Sequence, residues 1–332
     1  MTSSPRENPF LIGHETAEAA MLDAIRGGRL HHAWLITGPE GVGKATLAYR
    51  FARQLLAGGT GSLAMAATEP AFRRVAAGTH ADLLTIEREW DDKKKRMKKQ
   101  IAADTVRSIA PFLHLTPAEG GWRVVLVDGA EDVNPTSANA LLKVLEEPPA
   151  RAVLILVCSA PGRLLPTIRS RCRHLALTPL APAAMARVLE ANLPNMPAAD
   201  RDSLVAIADG SPGRAIALAE EGGLKLAGLV AEVLQAGPEI TLLRAYEMAD
   251  SLREQAAFEI FMALLQSGIA AAVTASVRGT ATPGQQELVA SRSALHWATT
   301  AQAIGRLADE TERSNMDRRQ ATVAGLALVR AT

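Results

Sequence analysis

The sequence has little cysteine, few aromatic residues and almost no net charge. Two of its 332 residues are cysteines, Cys158 and Cys172, which excludes a disulfide framework or a four-thiolate zinc site and suits a reducing, cytoplasmic setting. Because 36 Lys and Arg face 35 Asp and Glu, a histone-like chain held to DNA by net charge is excluded. No apolar run of the ~20 residues that a bilayer helix requires stands out, so we expect no membrane partner.

Short apolar runs that end in turn residues predict buried strands. Strands that are apolar at every position must be covered on both faces, as in a parallel sheet with helices on either side. We therefore predict an α/β fold with a five-stranded parallel sheet. The runs are Ala33–Ile36, Leu83–Ile86, Val124–Val127 and Val153–Val157, with a weaker fifth at Leu175–Leu177.

The rest of the chain follows a helical pattern. The clearest helix has Asn134 as its N-cap and Pro135 at its first position, and it stops before Pro148. Prolines after Thr178 end the sheet portion, and glycines near residues 222 and 237 break the helical part again. The predicted domains are a nucleotide-fold domain (1–178), a small helical lid (179–222) and an all-α oligomerisation domain (223–332).

A glycine-rich loop between the first strand and an apolar-striped helix predicts phosphate binding. Glycines let the backbone wrap around phosphate oxygens, the helix N-terminus offers unpaired N–H groups, and the lysine supplies a positive charge. The alternative is a plain glycine-rich turn. The loop residues are Gly38, Pro39, Glu40, Gly41, Val42, Gly43, Lys44, Ala45 and Thr46.

Two departures indicate that this loop does not support hydrolysis. Ala45 stands where Ser or Thr would hold magnesium, and Thr46 is rotated away by about 100° around the helix. Asp128 ends a strand and is placed to reach a metal, yet Gly129 follows it where a glutamate would activate water. Glu131 lies two positions after Gly129, and nothing in the sequence puts it at the position of the activating glutamate. We expect weak binding of ATP or ADP, an impaired magnesium site, no resident metal and little or no ATPase activity.

Three blocks together resemble bacterial clamp-loader subunits of the AAA+ class. They are residues 32–44 with the phosphate loop, Asn139–Pro149 with its Leu-Glu-Glu-Pro-Pro ending, and Ser170-Arg171-Cys172. The resemblance covers about residues 8–220 and implies a P-loop AAA+ domain, a lid and a helical collar domain. At position 45 the hydroxyl is missing, and at position 129 the glutamate is missing. In this respect the chain resembles the delta-prime branch of the family rather than its gamma or tau motor subunits. The family's four-cysteine zinc knuckle has no counterpart in residues 57–82, so no zinc is expected.

The resemblance also assigns roles to three side chains. It implies that Arg171 is an arginine finger, presented in trans to ATP on a neighbouring motor subunit; such fingers supply about 10³ to 10⁵ in rate. The alternative is that Arg169, Arg171 and Arg173 form a solvated edge. Ser159 matches a polar residue that faces the nucleotide, or else caps a strand end. Arg214 matches a lid arginine that meets the phosphates, although Ser211 and Pro212 explain the local helix start without a ligand.

The basic run Lys93–Lys99 allows two interpretations. It could attract DNA phosphates, but it follows Asp91-Asp92 and lacks interleaved aromatic residues, which favours a solvated loop or hairpin tip.

The implied partners are the delta and gamma or tau subunits, and with them the sliding clamp and primed DNA, within the replicative polymerase holoenzyme. One rival is an active AAA+ motor that hydrolyses ATP alone. Another is a P-loop kinase, which would leave Arg171 and the helical tail without a role.

Overall fold

The computed structural model describes residues 4–92 and 96–330, which fall into two compact units. The first contains the chain up to Asn192 together with Gly210–Gly213, and the second contains Leu193–Asp209 and the chain from Arg214 onward. The predicted division into three domains stays a prediction.

The first unit is built on a parallel sheet with the strand order β2-β5-β6-β1-β7. A short antiparallel pair, β3 and β4, lies outside it. The fold predicted from the apolar runs, a five-stranded parallel sheet followed by an all-helical region, is confirmed. The strands of the described residues are β1 Ala33–Thr37, β2 Leu83–Ile86, β3 Trp90–Asp91, β4 Arg96–Met97, β5 Arg123–Asp128, β6 Ala152–Cys158 and β7 Arg173–Ala176.

Helices cover both faces of this sheet. On one face, Leu35 of β1 joins a core with Leu141 and Leu145. On the other face, the rings of Trp34 and Phe51 meet edge to face, 5.3 Å apart. The helices are α1 Glu15–Arg26, α2 Lys44–Leu56, α3 Pro70–Ala76, α4 Ala103–Arg107, α5 Ile109–His114, α6 Pro135–Glu146, α7 Pro166–Arg169 and α8 Pro182–Asn192.

Helix α6 begins as its sequence predicts. The Asn134 side chain accepts a hydrogen bond of 2.8 Å from the Ser137 N–H, which satisfies one of the donors left open at a helix start. The helix ends at Glu146, ahead of Pro148. The Leu-Glu-Glu-Pro-Pro block therefore lies at the C-terminal end of α6 and directly after it.

The strand register brings three loops to one edge of the sheet. Thr37 of β1 pairs with Cys158 of β6, and Asp128 of β5 pairs with Val157 of β6. Because the carboxyl ends of parallel strands meet at one edge, the phosphate loop, Ser159 and Gly129 follow adjacent strands there.

The second unit is helical. Its core includes the fully buried side chains of Trp297, Phe258, Phe261 and Leu265. Its helices are α9 Ala198–Ile207, the part of α10 Pro212–Glu220 from Arg214 onward, α11 Gly223–Ala236, α12 Leu242–Ser251, α13 Gln255–Arg278, α14 Pro283–Ala290, α15 Ala294–Ser314 and α16 Arg318–Arg330.

Helix α13 corrects the expectation that no run is apolar enough to span a bilayer. It has 24 residues and a mean hydropathy of 1.8 over its most apolar window, and by length and composition alone it qualifies. Core helices meet the same criterion, and α13 buries Phe258, Met262 and Ile269 inside the second unit. Its apolarity is therefore weak support for a membrane segment.

Arg96 and Met97 of the basic run belong to a short antiparallel strand pair. Trp90 pairs with Met97 and Asp91 with Arg96. Residues 93–95, the first three of the seven residues in the run, lie outside the described residues. Lys98 forms a 2.5 Å ion pair with Glu89. A strand pair at this position agrees with the second of the two interpretations of the run.

Candidate functional site

The phosphate loop depends on glycine at its bends. Gly38, Gly41 and Gly43 have φ angles of 149°, 73° and 111°, a region that other residues rarely adopt. A Cβ on Gly38 would lie 2.5 Å from the carbonyl oxygen of Leu177. The loop conformation therefore requires glycine for reasons of backbone geometry and of space.

The carbonyl groups of the loop are bound by the surrounding protein. The Val42 carbonyl accepts a buried hydrogen bond of 2.8 Å from Nε2 of His14. The Glu40 carbonyl accepts one of 2.7 Å from the Ser211 hydroxyl, and the Gly41 carbonyl one of 2.9 Å from the N–H of Gly213. These bonds hold the loop from segments distant in sequence, a connection that sequence reasoning missed.

The start of α2 leaves N–H donors at the loop. The helix makes its first internal bond from the Leu47 N–H to the Gly43 carbonyl, at 3.0 Å. The N–H groups of Lys44, Ala45 and Thr46 precede that bond, and such groups bind anions at helix N-termini. The backbone therefore fits a phosphate group.

Lys44 is buried at the loop, with 5% of its surface exposed. Its Nζ donates a 2.7 Å hydrogen bond to the Pro39 carbonyl. Burial lowers the pKa of Lys44, and the negative charges of Glu131, Asp128 and Glu40 oppose that shift. The lysine is therefore a desolvated cation surrounded by carboxylates.

The metal half of the site does not fit magnesium as well as the loop fits phosphate. Ala45 offers a methyl group instead of a hydroxyl, and Gly129 has a φ of 78° and no side chain. Burial, followed by the charge of Glu87, raises the pKa of Asp128, while Lys44 opposes the shift. Within residues 4–92 and 96–330, no group of three or more His, Cys, Asp or Glu side chains is arranged to hold a metal ion.

Glu131 enters the site although the sequence left it unplaced. It lies on a 3-10 turn, Ala130–Asp132, that begins after the left-handed Gly129. Its Oε1 accepts a 2.8 Å hydrogen bond from the N–H of Ser159. Gly129, directly after Asp128, was the sequence signal for this turn, because a glycine readily adopts the left-handed conformation that lets the chain turn sharply.

Ser159 and Arg214 stay predictions as nucleotide contacts. Ser159 is exposed just past β6, and its N–H is bound to Glu131. The Arg214 guanidinium forms a 2.6 Å ion pair with Asp209 and donates a 3.0 Å hydrogen bond to the Ser267 hydroxyl. The helix that contains Arg214 starts at Pro212, as predicted.

The predicted finger Arg171 is at the surface of the first unit. Its side chain is 36% exposed; Nη2 lies 2.8 Å from Oε1 of Glu146, and Nη1 donates a 3.0 Å hydrogen bond to the Thr167 carbonyl. Arg169 is exposed, and the Arg173 guanidinium stacks 4.6 Å from the ring centroid of Trp34. Arg173 is exposed as well, so the finger and the solvated edge both stay open as interpretations of these three arginines.

Comparisons with known proteins place these features in a family. The family model described as "DNA polymerase III, delta subunit" matches residues 13–181. The chain is 41% identical over 188 residues to the DNA polymerase III subunit delta' of Pseudomonas aeruginosa, which covers 56% of each chain. It is 34% identical over 203 residues to the delta' subunit of Escherichia coli K12, covering 60% of this chain and 57% of that one.

More distant matches extend to other subunits. The gamma/tau subunit of Mycobacterium tuberculosis is 31% identical over 180 residues, covering 54% of this chain and 30% of that one. A solved gamma subunit-related protein of Thermotoga maritima covers 96% of this chain and 98% of its own, at 19% identity and a TM-score of 0.46, too distant for a functional argument.

The chain spans about half the length of the curated delta' relatives that it matches. The family model covers half of the chain. The chain belongs to the family described as DNA polymerase III, delta subunit, and within it is similar to the delta' subunits of these two bacteria.

Proposed function

We propose that the chain is a cytoplasmic clamp-loader subunit that helps to load the sliding clamp onto primed DNA. Its partners are the delta and gamma or tau subunits, and DNA is met through the assembled complex. The names of its relatives support this, since they are DNA polymerase III subunits delta', gamma and tau.

The observation that carries the proposal is the surface position of Arg171. Its guanidinium is oriented by Glu146 and by the Thr167 carbonyl, while more than a third of its side chain remains exposed. A guanidinium held in this way can reach an adjoining protomer. Placed against the phosphates of a neighbouring ATP, it would stabilise the negative charge that spreads in the transition state.

The chain's own loop binds ATP or ADP weakly in this proposal. Lys44 and the N–H groups of the first turn of α2 would hold the phosphates, and bound magnesium would supply charge neutralisation. Ala45 provides no hydroxyl for that ion, and Gly129 no carboxylate to activate water. The nucleotide therefore serves structure or assembly instead of turnover.

The rival is an active motor of the gamma or tau type, since those subunits are also relatives. It requires both a metal-binding hydroxyl and an activating carboxylate. The left-handed conformation of Gly129 disfavours a side chain at the second of these positions.

The test compares two arginine substitutions in the assembled complex. Arg171→Ala should strongly reduce DNA-stimulated ATP hydrolysis by the motor subunits. Arg169→Ala, which removes the same charge two residues away, should leave it unchanged. Equal rates for the Arg171→Ala complex and the wild-type complex would refute the finger, and steady turnover by the isolated chain would favour the motor.

A further inference from the structure

Glu131 lies at the edge of the sheet where the phosphate loop begins. It follows β5, while Ser159 follows the adjacent β6 and the phosphate loop follows β1, the strand next to β6. The register aligns the carboxyl ends of these strands. The carboxylate is thus placed among the groups that would meet phosphate.

The turn that carries Glu131 is fixed on both sides. Before it, Gly129 adopts a left-handed conformation. After it, Asp132 forms ion pairs of 3.2 Å with Arg88 and 3.4 Å with Arg163. These contacts define the direction of the turn and hence the position of the Glu131 side chain.

The two carboxylate oxygens of Glu131 have different surroundings. Oε1 accepts the N–H of Ser159 at 2.8 Å. Oε2 is buried and outside strict hydrogen-bond geometry with any described residue, although the Cys158 thiol lies close enough to this carboxylate to interact with it. A buried, unpaired carboxylate oxygen is costly, so an opposing positive charge nearby is needed to retain it.

The positive charge closest in effect is that of Lys44, which ends the phosphate loop on the same edge of the sheet. Among the charges that act on the lowered pKa of Lys44, Glu131 has the largest opposing effect, ahead of Asp128 and Glu40. Burial, and then the charge of Glu131, also raise the pKa of the neighbouring Cys158 thiol to about 12. Lys44 and Cys158 therefore both lie within the electrostatic reach of Glu131.

We propose that Glu131 acts as a built-in anion that competes with nucleotide phosphates for Lys44 and for the Ser159 N–H. The inference rests on the proposed role of the chain as a weak nucleotide binder, and it gives a cause for that weakness. Phosphate oxygens must approach a carboxylate that already accepts the Ser159 N–H and lies within the electrostatic reach of Lys44. Like charges in a desolvated site repel strongly, because water does not screen them.

The test is equilibrium binding of ADP and of inorganic tripolyphosphate to the full chain, with and without magnesium. Glu131→Gln removes the charge but keeps an oxygen for the Ser159 N–H. It should bind both probes about tenfold more tightly without magnesium, since a like charge has been removed. Asp104→Asn, a charge removal at a side chain that is 93% exposed and outside the site, should change neither affinity by more than about threefold.

Three results would overturn the proposal. If Glu131→Gln bound both probes with the affinities of the wild-type chain, Glu131 would not compete with phosphate. A loss of magnesium-dependent ADP binding would instead make Glu131 a ligand of the metal. Failure of both Glu131→Gln and Glu131→Met to fold would make Glu131 a structural counterion.

This test is separate from that of the finger. Tighter binding by Glu131→Gln together with an inert Arg171→Ala substitution would reject the finger and keep the competing anion. Impaired partner hydrolysis in Arg171→Ala with unchanged binding in Glu131→Gln would do the reverse.

Discussion

Arg171 and Glu146 are joined by an ion pair of 2.8 Å, from Nη2 to Oε1. The pair links the Ser-Arg-Cys triplet to the first glutamate of the Leu-Glu-Glu-Pro-Pro block. Its side chains are 36% and 50% exposed, and exposed pairs of this kind contribute only about 0.2–1 kcal/mol to stability. The pair is therefore better suited to orienting the guanidinium than to stabilising the fold.

Substitution of Glu146 tests this orienting role. Glu146→Gln should change the free energy of unfolding in urea by less than about 1 kcal/mol. It should nevertheless reduce partner ATP hydrolysis in the assembled complex, though less than Arg171→Ala does. Glu147→Gln, a neighbouring exposed glutamate, is the matched control. A Glu146→Gln complex with the wild-type rate would mean that the pair has no positioning role.

His14 tests the anchoring of the phosphate loop. Its Nε2 donates to the Val42 carbonyl, and the side chain is 6% exposed. His14→Phe should lower the free energy of unfolding by about 1–3 kcal/mol, because a buried acceptor loses its donor. His114→Phe, at an exposed position, should cost within about 0.5 kcal/mol. Equal denaturant midpoints for the two variants would contradict the anchor.

Restoring the missing glutamate after Asp128 should fail. A side chain on Gly129 must adopt a φ of 78°, and its Cβ would lie 3.2 Å from Oδ2 of Asp132. Gly129→Glu should therefore cost about 1–2 kcal/mol in stability and produce no ATP turnover. Gly121→Glu enters open space and should cost much less. Urea titrations of the wild-type chain and of both variants measure these costs. Equal losses of stability in the two variants would show that the backbone at Gly129 imposes no restriction.

Ala45→Thr should restore a hydroxyl ligand at the helix start. We expect ADP binding to the variant to depend on magnesium more strongly than binding to the wild-type chain does, since the metal gains a protein oxygen. Calorimetric titrations with magnesium and with a chelator measure this. Ala57→Thr, at the exposed C-cap of α2, lies away from the loop and controls for the added hydroxyl. Magnesium-independent binding in Ala45→Thr would place the metal site elsewhere.

Asp128 gives the chain a predictable dependence on pH. Its pKa is raised in the folded state by burial, so ionisation costs folding free energy at neutral pH. The cost disappears as the pH falls through the raised pKa towards the unfolded value of about 3.8. Asp128→Asn should thus be more stable than the wild-type chain at pH 7, with a smaller gain near pH 4. Urea titrations at the two pH values measure this difference in stability. A stability gain that grows on acidification would contradict the prediction.

Local patterns predicted much of the fold. The apolar runs located the sheet strands to within about two residues, since burial on both faces demands continuous apolar residues. The N-cap Asn134 and Pro135 placed the start of α6 for a local reason, the capping of open N–H groups. Helix α13 was missed as a long apolar helix, because its Gly, Ser and Thr residues interrupt the run.

Contacts between distant segments could not be predicted in this way. The Ser211 hydroxyl meets the Glu40 carbonyl across 171 positions, and no pattern of spacing encodes that meeting. Glu131 lies at the site because of the turn that follows Gly129. The direction of that turn depends on the ion pairs of Asp132 with Arg88 and Arg163. The sequence identified the chemistry of the loop, but the tertiary structure determined which carboxylate faces it.

The most direct measurement of the central claim is single-turnover hydrolysis of ATP bound to the motor subunits of the assembled complex. With Arg171→Ala in this chain, the rate at the neighbouring site should fall on the order of 10³-fold while ATP affinity stays close to that of the wild-type complex. Arg171→Lys should recover little of the rate, because an ammonium lacks the planar fork of a guanidinium. Hydrolysis at the wild-type rate in the Arg171→Ala complex would contradict the account.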